Sequence, residues 1–570
     1  MKAFSRFKLY PICYSLFAVL LLAAFFRLYG LNWDQNHHLH PDERFLTMVV
    51  GALKWPKSLS QYFNPQTSPL NPYNANFGFF VYGTLPLKIV KAGTEFIKLT
   101  NYDYNNIALV GRLISAIFDL GIVLLIYKIG QKIFNEKIGV LASFLYSISV
   151  LPIQLSHFFA VDTFLVFFLT LSFYLLISIF HTPYAMLYSA ATGCAFGLAL
   201  ACKISALLFL PIITFGYLLA FFKHRSIKLF AICSALFAIF AYFFLRLADP
   251  RIFADNNFFN ALLNSRFIAN IKELRSSSDS DTWFPPAIQW IKTKPIIFPL
   301  KNMILWGFGL PLGILTVGGV IYSSWRIIPK IKKFNNLTIQ QFSHLLVFSW
   351  IIILFAYQGI QFAKPMRYFY PIYPFLAILT ANFSQKIIFK KIKNCYLLFA
   401  ICFLLLIIWP LSFMAIYSRS HSRVIASQWI YENIPSGSTI SCEHWDDCLP
   451  LGIKDKSISL YQIETLALHD QDTPQKWQKI NQQLERVDYL IMSSNRLWGS
   501  IPRLPEKYPT TTKFYQDLFA ENLDFQKVAE IASYPKLEIG NWKLEIRDEG
   551  ADESFTVYDH PKVLIFKKKT

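Results

Sequence analysis

The chain has 570 residues, 54% of them hydrophobic and only 16% charged, at a mean hydropathy of +0.37. A soluble domain is nearer a quarter charged, so a protein with several membrane spans is predicted and a purely soluble one is excluded. The net charge of +20 does not point to nucleic acid, because the basic excess belongs to residues 1–416, with 36 Lys and Arg against 13 Asp and Glu, whereas residues 417–570 hold 19 against 22.

In chain order, apolar runs fall at 10–30, 108–127, 138–155, 159–180, 184–202, 204–222, 229–247, 302–323, 343–362, 369–385 and 396–416. Each approaches the ~20 residues a helix needs to cross the hydrocarbon core, giving about 11 transmembrane helices. The first has no small-residue cleavage site behind it and reads as a retained signal anchor. With Lys2, Arg6 and Lys8 inside the cell, Lys128/Lys132/Lys137, Lys223/Arg225/Lys228, Arg326/Lys330/Lys332/Lys333 and Lys386/Lys390/Lys391/Lys393 all fall inside too. Segment 77–96 is apolar but holds Pro86, Lys88, Lys91 and Glu95, and crossing there would invert every later loop. It is read as an interfacial or re-entrant helix.

This topology places loops 31–107 and 248–301, the turn near His157 and the tail on the outer face of the cell membrane, with the N-terminus cytoplasmic. Residues 1–416 form the membrane domain. Residues 417–570 alternate short apolar strands with charged turns and read as a small extracytoplasmic α/β domain. Residues 276–281, SSSDSD, form a polar patch in loop 248–301. Cys442 and Cys448 frame CEHWDDC. Their spacing matches no zinc motif, and outside the cell a disulfide is expected. The other six cysteines lie in or beside apolar spans, as small hydrophobes.

Between Asp281 and Glu432 there is no Asp or Glu, so a carboxylate base from the membrane half comes from the thirteen acids upstream. Most of those, Asp34 and Asp249 included, sit in outer loops where a solvated acid is ordinary. Asp42 and Glu43 in HLHPDERF (38–45), Asp119 and Asp162 remain, at or near membrane depth, where acids are costly and tend to serve a function or a partner. Arg112, Ser115 and Asp119 share a helical face, which packing between spans would also explain. Asp42 and Asp162 each have a histidine nearby, His40 and His157, although a lone loop histidine is more often plain polar surface. Such a cluster could deprotonate a hydroxyl or hold a divalent metal. A lipid-borne phosphate would call on cations of the same face: Arg112, Lys203, Arg246, Arg251, Lys364 and Arg367. For Arg246 and Lys364 snorkelling to headgroups is the simpler reading.

The order of four stretches resembles the glycosyltransferase family 39-like branch of GT-C membrane enzymes, the protein-mannosyltransferase and aminoarabinose-transferase group. They are HPDERF (40–45), GRLISAIFDLGIVLLIYKIGQKIF (111–134), LPIQLSHFFAVDTFLVFFLTL (151–171) and RYFYPIYPFLAIL (367–379). The resemblance implies transfer of a sugar from a polyprenyl-phosphate carrier to an acceptor glycan, lipid or protein at the outer face, with inversion. Asp42 would match the first-loop catalytic acid with Glu43 beside it, Asp162 the second-loop acid, and Arg112 and Lys203 the cations near the carrier phosphate. Metal use varies among relatives. A transporter or flippase of lipid-linked sugars is the rival class and predicts paired broken spans with symmetry between halves, a pattern not found in the sequence. A receptor or scaffold leaves HPDE and the outer cations without a role, and an O-antigen-type ligase is usually marked by a long basic outer loop, whereas 248–301 is mixed in charge.

Overall fold

The computed structural model describes residues 2–97, 103–276, 283–331, 337–388 and 396–569, with backbone alone for 2–11, 223, 224, 331, 388, 396, 398 and 399. Residues 277–281 of the expected polar patch, Cys395, and Lys332, Lys333, Lys390, Lys391 and Lys393 lie outside the described residues.

Every expected span coincides with helix. Among the described residues, six helical segments are long and apolar enough to cross a membrane by length and composition: Tyr104–Ile133, Val161–His181, Ile204–Phe222, Ile227–Ala248, Leu310–Lys330 and Ile339–Gly359. Shorter apolar helices at Ile12–Leu28, Ala185–Leu200 and Ala400–Met414 match three more of the expected runs, and the helix Tyr373–Phe383 matches another. The protein is a multi-pass membrane protein.

The helices that build the site are α1 (Lys2–Leu28), α2 (Pro41–Ala52), α3 (Leu85–Phe96), α4 (Tyr104–Ile133), α5 (Glu136–Ser147), α6 (Val150–Ser156), α7 (Val161–Ser178) and α8 (Ala185–Leu200). The single span expected at 138–155 is instead the pair α5 and α6, bent by 64°. Pro152 explains the break, because its ring clashes with the carbonyl four residues back and it has no N–H to donate. The Ser147 carbonyl beside the break is capped by Arg27 Nη1 at 2.8 Å. Segment 77–96 ends in α3, a twelve-residue helix that does not meet the spanning criteria.

The tail folds as a five-stranded sheet in the order β2-β1-β3-β7-β4. Its strands are β1 (Thr439–Glu443), β2 (Gln462–Leu466), β3 (Tyr489–Met492), β4 (Phe525–Ile531) and β7 (Val563–Lys568); β5 (Lys536–Ile539) and β6 (Trp542–Glu545) form a separate hairpin. β1 runs parallel to β2 and β3, and β7 runs antiparallel to β3 and β4. Alternation along β7 feeds two cores. Val563 and Ile565 join Ala426 and Ile430 on one face, while Leu564 and Phe566 join Phe514 and Leu518 on the other. Cys442 and Cys448 are disulfide-bonded.

The tail is pinned to the membrane half by residues 552–560. The Met366 amide donates to Asp552 at 2.7 Å, Tyr417 donates to Asp559 at 2.8 Å, and Gln154 reaches the same carboxylate at 3.1 Å. Phe555 packs against Phe413 inside the main apolar core. Burial pushes His560 down, but Asp559 and Asp548 on either side outweigh it and hold the imidazole up to about 10.

Candidate active site

HPDE is a helix start. His40 is the N-cap of α2, its Nδ1 accepting the Glu43 N–H at 3.3 Å, and Pro41 occupies the first turn, where a missing N–H costs nothing. Asp42 and Glu43 therefore sit at the positive end of the helix dipole, as does Asp162 in the first turn of α7. The two neighbouring acids of α2 then part company.

Asp42 forms an ion pair with Arg367, both side chains about a quarter exposed. Arg367 Nε is buried without a hydrogen-bond partner, so the guanidinium keeps donor capacity in reserve. Asp162 accepts from Lys203 Nζ at 2.8 Å. Tyr368 joins the two pairs, with Lys203 Nζ 4.8 Å and the Arg367 guanidinium 5.9 Å from its ring centroid. Burial pushes the Asp42 carboxyl up, yet Arg367, with Lys203 farther off, holds it well below the usual carboxylate range. The structure thus brings Asp42, Asp162, Lys203 and Arg367 together.

Lys203 is held from behind by Gly83. The Gly83 amide donates to the Cys202 carbonyl at 2.9 Å, and a Cβ on Gly83 would lie 1.9 Å from the Ala201 oxygen. Only glycine permits that approach.

Glu43 and Arg112 belong to a different, dry network. Arg112 Nε donates to both Glu43 oxygens at 3.0 Å, its Nη2 to Asp34 at 2.7 Å, and its guanidinium lies 4.8 Å from the Trp33 ring centroid. The Phe159 amide donates to Glu43 at 2.8 Å. Arg112 is turned to these acids rather than to the space beside Asp42. Asp34, expected as a solvated loop acid, is fully buried here, and Asp249 likewise pairs with Arg251 at 3.0 Å. Asp119 is bound by Arg27 at 2.5 Å and by the hydroxyls of Tyr146 and Tyr370, not by Arg112 of its own helix.

His157 directs Nδ1 to the Ile153 carbonyl and Nε2 to the Tyr29 carbonyl, at 2.8 and 2.9 Å, and stacks on Tyr417 at 3.9 Å. His40 is different. Burial holds its imidazole down at about 4, and its ring lies 4.2 Å from that of Tyr558, which the tail delivers to this spot. His40, Met366, Arg367 and Tyr558 line a cavity of about 10 Å³, too small for more than a water-sized molecule. Tyr558, Tyr368 and Arg27 were not singled out by sequence reasoning; only Arg27, a charge inside an apolar run, carried a signal.

Asp34, His38 and Glu43 have ligand atoms within 4.8 Å of one another, but the Arg112 guanidinium is already paired with both acids there. At the Asp42 and Asp162 site the chain's own cations do the same. Of the remaining cations, Arg246 and Lys364 donate to backbone carbonyls, at 2.6 and 2.8 Å.

Residues 96–246, which hold Arg112, Asp119, Asp162 and Lys203, match the sequence family described as dolichyl-phosphate-mannose-protein mannosyltransferase. The structure is similar to the oligosaccharyltransferase of Archaeoglobus fulgidus tethered with an acceptor peptide, at a TM-score of 0.53 and 13% identity over 89% of this chain and 72% of that one. ArnT from Cupriavidus metallidurans bound to undecaprenyl phosphate aligns at a TM-score of 0.44 and 14% identity, over 73% of this chain and 72% of that one. No curated protein sequence matches the chain. The chain has the fold of the GT-C membrane glycosyltransferases. Within that class, the stretch with a family match is mannosyltransferase-like.

Proposed function

We propose that the protein is an inverting glycosyltransferase that moves a sugar from a polyprenyl-phosphate carrier to an acceptor at the outer face of the cell membrane, with the N-terminus cytoplasmic and the tail extracytoplasmic. The observation that carries this reading is the pair of acid–cation couples around Tyr368, partly exposed and set at helix N-termini. The fold likeness and the family match point the same way.

The carrier phosphate competes with the two acids for Arg367 and Lys203. As Arg367 turns to the phosphate, using the Nε that is otherwise idle, Asp42 loses the partner that depresses its basicity. The acceptor oxygen then attacks the anomeric carbon, its proton passes to the Asp42 carboxylate, and the bond between that carbon and the phosphate oxygen breaks. The phosphate leaves with the electron pair and is stabilised by Arg367 and Lys203. Asp162 orients Lys203, and His40 caps the helix that carries Asp42. Glu43 and Arg112 act one step removed, fixing α2 against α4.

The test is an assay of membranes carrying the protein with a panel of polyprenyl-phosphate sugars. Transfer of at least one sugar with inversion is expected; no transfer across the panel, or retention of configuration, contradicts the reading. A C-terminal cysteine tag should label from outside intact cells, and labelling only after lysis would invert the topology.

A further inference from the structure

A second concavity, of about 550 Å³, lies between the tail and the loop that follows residue 282. Trp283 and Phe284 form one wall; Trp445, His469, Asp470 and Lys476 are among the residues of the other. Trp283, Phe284 and Trp445 are 39, 40 and 45% exposed. Large aromatic rings left in water around one concavity mark a binding surface. They are also braced, since Phe284 meets Trp445 edge-on at 5.6 Å and Trp283 meets Tyr508 edge-on at 5.3 Å.

Trp445 is the most informative of them. Its backbone is left-handed, φ 78°, where a bulky residue is strained and glycine or asparagine is at ease. The loop gives it no freedom to relax. Arg496 donates to the Trp445 carbonyl at 2.9 Å, and Asp446 and Asp447 are held by Arg423 at 2.8 and 2.7 Å. A strained tryptophan with nearly half its surface in water has too little packing to account for its place in this turn, so the outlier points to a function.

The polar end of the cleft narrows the ligand. Lys476 is spent on Asp472, Thr511 and two carbonyls at 2.7 to 2.8 Å, and Lys507 is engaged over one face of the Trp283 ring, its Nζ 4.2 Å from the centroid, so neither cation is free for an anion. Asp470 is 58% exposed, and the nearest basic group is His469 at 3.6 Å, whose imidazole burial holds down at about 4. His469 Nδ1 is buried without a partner. Aromatic faces beside a carboxylate with free lone pairs suit a pyranose, whose C–H face meets the electron-rich ring while neighbouring hydroxyls donate to the acid.

We propose that this cleft binds a pyranose of a carbohydrate acceptor, stacked on Trp445 and Trp283 with hydroxyls on Asp470. The word acceptor rests on the transferase reading; sugar binding itself does not. A link to the candidate active site exists, because Asp447 of the Trp445 loop pairs at 3.1 Å with Arg44, two residues beyond Asp42.

Titration calorimetry on the full chain in detergent, with mannotriose, maltotriose and chitotriose, tests it. At least one trisaccharide should bind with a Kd of about 1 mM or tighter. Trp445→Gly should weaken that binding at least about tenfold while the thermal midpoint holds or rises, since glycine relieves the backbone. If that variant fails to fold, Trp283→Ala decides by the same loss. Absence of binding by all three up to ~10 mM, or binding unchanged in the folded variants, overturns the proposal, as does saturable Zn²⁺ binding without any sugar binding at His444, His469 and Asp470, whose ligand atoms lie within 4.8 Å of one another. Transfer is assayed separately: sugar binding without transfer sinks only the transferase reading, and transfer without sugar binding sinks only the cleft.

Discussion

Asp42 and Glu43 are neighbours on one helix turn, and their surroundings could hardly differ more. Glu43 is fully buried, with Arg112 clamped to both its oxygens and a backbone amide added. Asp42 is about a quarter exposed and held by one arm of a guanidinium that has a donor to spare. A saturated, dry ion pair can only hold elements together, whereas a partly wet, under-used pair can exchange partners when a phosphate arrives. The network of Arg27, Asp119, Tyr146 and Tyr370 is as dry as the first, although Arg27 Nη2 has no partner, and Asp162 with Lys203 repeats the second pattern.

The sharpest way to break this contrast is to remove a clamping cation. Arg112→Ala or Arg27→Ala leaves buried acids unpaired, at a cost of ~3–5 kcal/mol. Loss of folded, monodisperse protein on extraction is expected, and well-folded variants would contradict the scaffold role. Arg367→Ala and Lys203→Ala should instead fold normally and lower sugar transfer by about 10²-fold or more, with Arg367→Lys intermediate because a point charge replaces the planar fork. Gly83→Ala should fall between the classes, lowering transfer through displacement of Lys203 with a smaller loss of stability.

A subtler effect is expected in the tail. Burial pushes the Glu443 carboxyl up to about 8, and its Oε2 has no hydrogen-bond partner. The folded state therefore holds this proton more tightly than the unfolded chain, whose value is near 4.5. That stabilisation is complete below about pH 4.5 and is lost as pH rises through about 8. Glu443→Gln should flatten this part of the decline in the thermal midpoint between pH 5 and 9, and an unchanged slope would contradict it.

Much of the fold was legible because hydrophobic runs and loop charges are local signals, and each expected run lands on helix. HPDE was legible as a candidate for the same reason: acids at a helix start beside a span stand out. What stayed hidden depends on contacts between distant parts of the chain. Arg27 meets Asp119 across 92 residues, and Asp34 is buried only because Arg112, 78 residues on, reaches it. Tyr558 reaches His40 from the far end of the chain, a juxtaposition no spacing announces. Pro152, by contrast, was in plain view, and its position inside 138–155 already implied the bend.

The central claim is that Asp42 takes the acceptor's proton while contributing little to the fold. Asp42→Asn compared with the native chain, in one polyprenyl-phosphate sugar transfer assay and one thermal unfolding measurement, tests it most directly. Transfer should drop by about 10²- to 10⁴-fold with the unfolding midpoint nearly unchanged. Transfer near the native rate in a well-folded Asn variant would contradict it.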